Sequence, residues 1–316
     1  SSPLFVDSEP NRAPSRPTEE EVAGLLYDSL QKICRLGDQA IIYPAHGAGS
    51  VCGSGMADRE FSTVGYERRN NPRLRIFDRD EFIQAKIAEH HYQPPYFRLM
   101  ERLNLEVADA APRIMRPRRM GLQQITKSGA DHLIDVREPL GYAGGHLPGA
   151  MCLPVGMIPA FAGWFITEGE TIALVASEED QLAEAMAHLV RIGFDNIIGG
   201  YVGVVPAAAQ GAAMRSVPMI NTDEVAQRLD QNGGQWTLLD VRDLEERQQT
   251  SIDGSEHIYV GELNTRWKEL KQDHHYTLMC ASGMRASVAA GWLASKGFEH
   301  LDIYLGSMGA WKNASG

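Results

Sequence analysis

The residues best suited to chemistry stand together near the end of the chain: Cys280-Ala281-Ser282-Gly283-Met284-Arg285. Cysteine reacts as its thiolate, which is favoured where positive charge and N–H dipoles converge. The apolar run from Tyr276 to Cys280 predicts a buried strand, and the residues after the loop predict a helix. A loop joining a strand end to a helix start turns backbone N–H groups inward, toward the positive end of the helix dipole. Arg285 adds a permanent cation at the far end of the loop. Gly283 permits backbone conformations closed to larger residues. The expectation is a compact, electropositive cup around a nucleophilic sulfur. The competing reading is a buried, inert thiol at a strand end.

The elements around this loop are duplicated. Leu133-Ile134-Asp135-Val136-Arg137 matches Leu238-Leu239-Asp240-Val241-Arg242 at an offset of 105 residues, and Gly193-Phe194 matches Gly297-Phe298 at 104. Each copy reads strand, loop, strand, helix, strand. The short continuous apolar strands Thr171 to Ala176 and Tyr276 to Cys280 fit parallel sheets covered on both faces. The fold class is therefore α/β with central parallel sheets. Shifted by 104, Cys280 falls on Ala176, in a loop reading Ala176-Ser177-Glu178-Glu179-Asp180-Gln181. That loop has no nucleophile, glycine or arginine, and its three acids repel an anion. The first copy is expected to be chemically silent and to pack or position its neighbours.

The second copy resembles a rhodanese (sulfurtransferase) domain in Leu239 to Arg242, in the Cys280 to Arg285 loop, and in Gly306-Ser307-Met308-Gly309-Ala310-Trp311. The resemblance implies that Cys280 takes sulfane sulfur from thiosulfate or a low-molecular-weight persulfide, holds it as a persulfide, and yields it to a thiol or sulfite. It also implies that Arg285 and the amides of Ala281, Ser282, Gly283 and Met284 hold the anionic group, and that no cofactor is required. Cysteine phosphatases place five residues between cysteine and arginine. The four found here make a cup better sized for sulfur than for a tetrahedral oxyanion. Asp240 and Arg242 read as an internal ion pair rather than as catalysts.

The N-terminal block carries a second resemblance. Tyr43-Pro44-Ala45-His46-Gly47-Ala48-Gly49-Ser50 and the stretch Ser62 to Pro72 are similar to late segments of metallo-β-lactamase-fold hydrolases and persulfide dioxygenases. The whole chain then resembles a metallo-β-lactamase-fold/rhodanese fusion of the persulfide dioxygenase–sulfurtransferase type that lacks the N-terminal part of the first domain. The implied division is residues 1–118 as the C-terminal part of a metallo-β-lactamase-like αβ/βα domain, 119–210 as a rhodanese-like domain without its cysteine, and 217–316 as the active one. The family's H-x-H-x-D-H motif is absent. The resemblance leaves Asp7 and His46 as metal ligands, too few for a catalytic iron or zinc, so either metal needs ligands from outside this chain. The opening Ser1 favours a fragment; a naturally short protein and ligands from a partner stay open. His46 as an ordinary loop histidine also stays open. A non-haem iron persulfide dioxygenase or a metal-dependent thioester hydrolase in a longer parent is one alternative function. A sulfur carrier or scaffold without turnover is another.

Local patterns fill in the rest. Thr18 and Glu21 form a capping box for a helix with an apolar stripe of Val22, Leu25, Leu26, Leu30 and Ile33. Strands are expected at Leu4 to Val6 and Ala40 to Tyr43, helices near 79–91 and 94–103, and linkers at 110–119 and 206–215. With 316 residues, two or three domains are expected. Lys and Arg total 30 against 41 Asp and Glu, a net charge of −11, which argues against nucleic acid as a partner. No uninterrupted apolar run is long enough for a membrane span. Four cysteines are too few for a disulfide scaffold. The expectation is a cytoplasmic protein with small-molecule sulfur donors and thiol acceptors as partners, and a homo-oligomer stays open.

Overall fold

The computed structural model describes residues 17–44, 59–89, 92, 94–105, 116–231 and 234–315. The chain divides into two compact units, Ser1–His91 and Tyr92–Gly316. Asp7, His46, Cys52 and the expected strand at Leu4 to Val6 lie outside the described residues.

In the first unit, Thr18 caps the helix Glu19–Cys34 and Glu21 reciprocates. The expected apolar stripe faces outward. Leu25 is 57% exposed, and Val22, Leu26 and Ile33 are exposed as well, whereas Ala23 and Gly24 are buried. Helices approach most closely where side chains are smallest. Here the small face meets the helix Arg79–Ile87, with Tyr27 tilted on Phe82 at 5.3 Å between ring centroids. The branched stripe is left on the other side. Strand β1 (Ile41–Ile42) pairs antiparallel with β2 (Ser62–Thr63). Arg68 and Arg69, which could have marked an anion site, both reach Asp38 on exposed surface.

The second unit holds two parallel sheets. In the first, β3 (His132–Asp135), β4 (Ala150–Cys152), β5 (Ile172–Ala176) and β6 (Ile197–Val202) lie in the order β4-β3-β5-β6. In the other, β7 (Met219–Ile220), β8 (Trp236–Asp240), β9 (Glu256–His257), β10 (His275–Met279) and β11 (Leu301–Tyr304) lie in the order β7-β11-β10-β8-β9. The internal repeat survives as register: Asp135 pairs with Cys152 as Asp240 pairs with His257. All five residues of β5 are buried, and their apolar run reflects helices on both sheet faces. The helix Glu179–Arg191 turns Leu182, Ala185, Leu189 and Val190 inward, one stripe at helical spacing. The helix Tyr96–Leu105 occupies the second expected helical stretch. The stretch 206–215, expected as a linker, begins inside the helix Val204–Ala209. Three successive alanines favour that helix, and Ala207 is buried.

The helix Met284–Ser295 is buried almost all round, from Ala286 to Leu293. It is rich in small residues because it lies between its own sheet and β4 of the other copy. At Gly291 a Cβ would fall 2.2 Å from the Cys152 backbone nitrogen, so only glycine allows this approach. Beside it Phe165 of the first copy packs on Trp292 at 4.8 Å. The two copies thus share one apolar core.

Candidate active site

Cys280 follows the last residue of β10, and its loop runs straight into the helix Met284–Ser295. Gly283 adopts φ +111°, a left-handed conformation disfavoured for residues with a Cβ. That turn brings the Gly283 amide to donate to Cys280 Sγ at 3.1 Å. The motif Gly306 to Trp311 holds the loop from behind. The Cys280 amide donates to Ser307 Oγ at 3.1 Å, and Ser307 Oγ–H donates to the Tyr304 carbonyl at 2.8 Å. The amides of Met308 and Gly309 donate to the carbonyls of Cys280 and Ala281. Ser307 is fully buried, with φ +49°. Strain at a non-glycine residue persists only where its surroundings over-determine it, and three bonds to one loop do so here.

Two features qualify the expected cup. The sulfur is buried, as the competing reading expects: Cys280 is 1% exposed. The next two residues of its loop, Ala281 and Ser282, are exposed. Arg285 is not a free cation. Its guanidinium donates to both oxygens of Glu246, at 2.5 and 2.7 Å. Burial opposes both charges, yet the paired hydrogen bonds outweigh it, lowering the Glu246 carboxyl and raising the Arg285 guanidinium. Glu246 lies in the first turn of the helix Leu244–Gln249, and its amide is capped by Asp243 at 2.8 Å. Tyr259 stacks on Tyr92 at 3.9 Å and meets Trp164 of the other copy edge-on at 5.6 Å. Burial raises its phenol, and the Arg285 charge acts against that shift.

Asp240 and Arg242 form the expected internal pair. Arg242 grips both carboxylate oxygens of Asp240 and the Thr250 carbonyl. Asp135 and Arg137 repeat the arrangement with the Gly145 carbonyl. In the silent loop, Gln181 turns back, accepting from the Ser177 amide at 2.8 Å and donating to the Val136 carbonyl at 3.3 Å. A side-chain amide therefore occupies the loop hydrogen bond that an anion would need.

The sequence pattern of the rhodanese-like domain matches residues 121–205 and 221–314. The chain belongs to the rhodanese family. Both rhodanese-like domains fall in the second unit, one with the cysteine loop and one without. The chain is 31% identical over 96 residues to the candidate sulfur carrier protein YrkF of Bacillus subtilis (strain 168), covering 30% of this chain and 51% of that protein. It is 33% identical over 75 residues to the candidate sulfurtransferase YtwF of the same organism, covering 24% of this chain and 72% of that one. Among solved structures, a metallo-β-lactamase from Staphylococcus aureus subsp. aureus COL is 26% identical, with a TM-score of 0.48, covering 58% of this chain and 51% of that one. The chain thus spans about half the length of YrkF and of the metallo-β-lactamase.

Glu246 and Ser307 were not singled out by sequence reasoning. Ser307 stood inside a recognised motif without a role. The signal that could have marked Glu246 is its place three residues after Asp243, a capping spacing.

Proposed function

We propose that this rhodanese is a sulfurtransferase working through a persulfide on Cys280. The observation that carries the reading is the Gly283 amide directed at Sγ inside a loop clamped by Ser307, Met308 and Gly309. The Cys280 thiolate attacks the outer sulfur of thiosulfate or of a low-molecular-weight persulfide. The donor's sulfur–sulfur bond breaks, and sulfite or a thiolate leaves with the electron pair. The new outer sulfur stands about 2 Å beyond Sγ. A thiol or sulfite then attacks that atom and restores the Cys280 thiolate. The amides of Ala281, Ser282, Gly283 and Met284 steady the anion, and Arg285 contributes as half of its pair with Glu246. No cofactor enters these steps.

Mass spectrometry after exposure to thiosulfate or glutathione persulfide tests this. One added sulfur is expected on the wild type and none on Cys280→Ser, with steady-state transfer lost and circular dichroism unchanged. Persulfide or turnover in the variant refutes the assignment. A pure carrier, the reading favoured by the likeness to YrkF, would load once without steady-state transfer.

Residues 1–118 are read as the C-terminal part of a metallo-β-lactamase-like domain. Asp7 and His46 lie outside the described residues, and no group of three metal-binding side chains stands among the described residues. No step is therefore derived through iron or zinc. No helix among the described residues is long and apolar enough to cross a membrane. Small-molecule donors and acceptors in the cytoplasm complete the reading.

A further inference from the structure

Sulfur transfer as described needs an anion cup, yet this cup contains its own anion. Glu246 bonds Arg285 through both carboxylate oxygens, and the pair's side chains are largely buried. Partly desolvated charges attract more strongly than charges on open surface, so this guanidinium presents little net charge to a ligand. The other groups facing the pair add no positive charge: Asp243, which caps the Glu246 helix, is a second carboxylate beside Arg285, and the phenol of Tyr259 comes from the loop after β9.

The silent domain serves as an internal control. The counterparts of Cys280, Arg285 and Glu246 there are Ala176, Gln181 and Gly141, whereas Asp240 and Arg242 persist as Asp135 and Arg137. The structural ion pair is kept in both domains. The Glu–Arg pair is present only where the thiol is present, so it goes with the chemistry rather than with the fold.

We propose that Glu246 sets the donor class: by neutralising Arg285 it disfavours dianionic oxyanion donors such as thiosulfate and favours persulfides of uncharged alkyl thiols. The inference rests on the sulfurtransferase reading above. With an alkyl persulfide, Cys280 bonds to the terminal sulfur, whose proton stays on the new persulfide, and the alkyl thiolate leaves with the electron pair of the broken bond. With thiosulfate, the same displacement releases sulfite bearing two negative charges. Only the second route brings a dianion to Arg285. Glu246 touches no reacting atom; it is a positioning residue that acts through Arg285.

Glu246→Gln keeps the capping geometry and removes the charge. Its kcat/KM for thiosulfate should rise about tenfold, equivalent to about 1.4 kcal/mol, and the gain should shrink as salt is added. The value for 2-hydroxyethyl persulfide should change by less than about threefold, and iodoacetamide should alkylate Cys280 faster at neutral pH. Adding Arg285→Gln to Glu246→Gln should abolish the thiosulfate gain. Glu246→Asp should keep the wild-type donor ratio, which guards against a folding defect in the glutamine variant. Equal changes for both donors, or a donor ratio in Glu246→Gln no different from that in Glu246→Asp, overturn the inference. Loss of transfer in Cys280→Ser with an unchanged donor ratio in Glu246→Gln sinks this inference alone; transfer surviving in Cys280→Ser sinks the reading beneath it.

Discussion

Two buried cysteines in one molecule separate packing from chemistry. Cys152 is fully buried on β4, and burial pushes its thiol up. The helix at Gly291 packs directly against it. Cys280 is almost as buried, but the two residues that follow it, Ala281 and Ser282, are exposed. Under native conditions an alkylating reagent should therefore label Cys280 while Cys152 reacts only on unfolding. Peptide mapping after timed labelling reads this directly, and equal protection of both thiols would count against sulfur chemistry at Cys280. The cysteine, the glycine and the arginine five residues beyond the thiol were legible because they stand in one short stretch. The state of that arginine was not, because its partner lies 39 residues away in sequence. A motif states which charges are present; it does not state which are already neutralised.

At the scale of elements, the strands were the most readable feature, since continuous apolar runs in β5 and β10 have no other comfortable place than the middle of a parallel sheet. The helix Glu19–Cys34 was readable in its cap but not in its facing. Periodicity marks an apolar stripe, while the neighbour's shape decided that Ala23 and Gly24 would be covered instead. The turn before β4 shows how a buried polar group couples an element to pH. His146 is 2% exposed, stacks on Tyr142 at 3.8 Å, and lies 2.9 Å from the Tyr142 carbonyl through Nδ1. Burial holds its imidazole below the ordinary 6.5, although that carbonyl acts to raise it. The unfolded chain then binds the proton more readily than the folded one. The stability His146 contributes is present above pH 6.5 and is lost as pH falls toward the folded value. His146→Asn should flatten the fall in urea midpoint between about pH 7.5 and 5.5. A slope equal to that of the wild type would remove His146 from the account.

At the scale of the second unit, the seam between the two rhodanese-like domains is closed by the absence of a side chain. A Cβ at Gly291 would stand 2.2 Å from the Cys152 nitrogen and 2.6 Å from its Cβ. Neither atom can swing aside, so Gly291→Ala must part the helix from β4. Overpacking of this kind costs about 1–3 kcal/mol, and the urea midpoint should fall accordingly. An unchanged midpoint would mean that the seam is looser than its geometry. The duplication was legible in sequence from paired Leu-x-Asp-Val-Arg segments, but the seam was not, because no pattern links Gly291 to Cys152.

The helix that begins beside the sulfur loop at Met284 reaches that seam at Gly291, about 10 Å along its axis. The domain whose loop lacks the cysteine is in this way a footing for the one that carries it. Amino-acid changes on the β4 side of that junction would reach the cysteine loop through the helix, although they stand in the other domain.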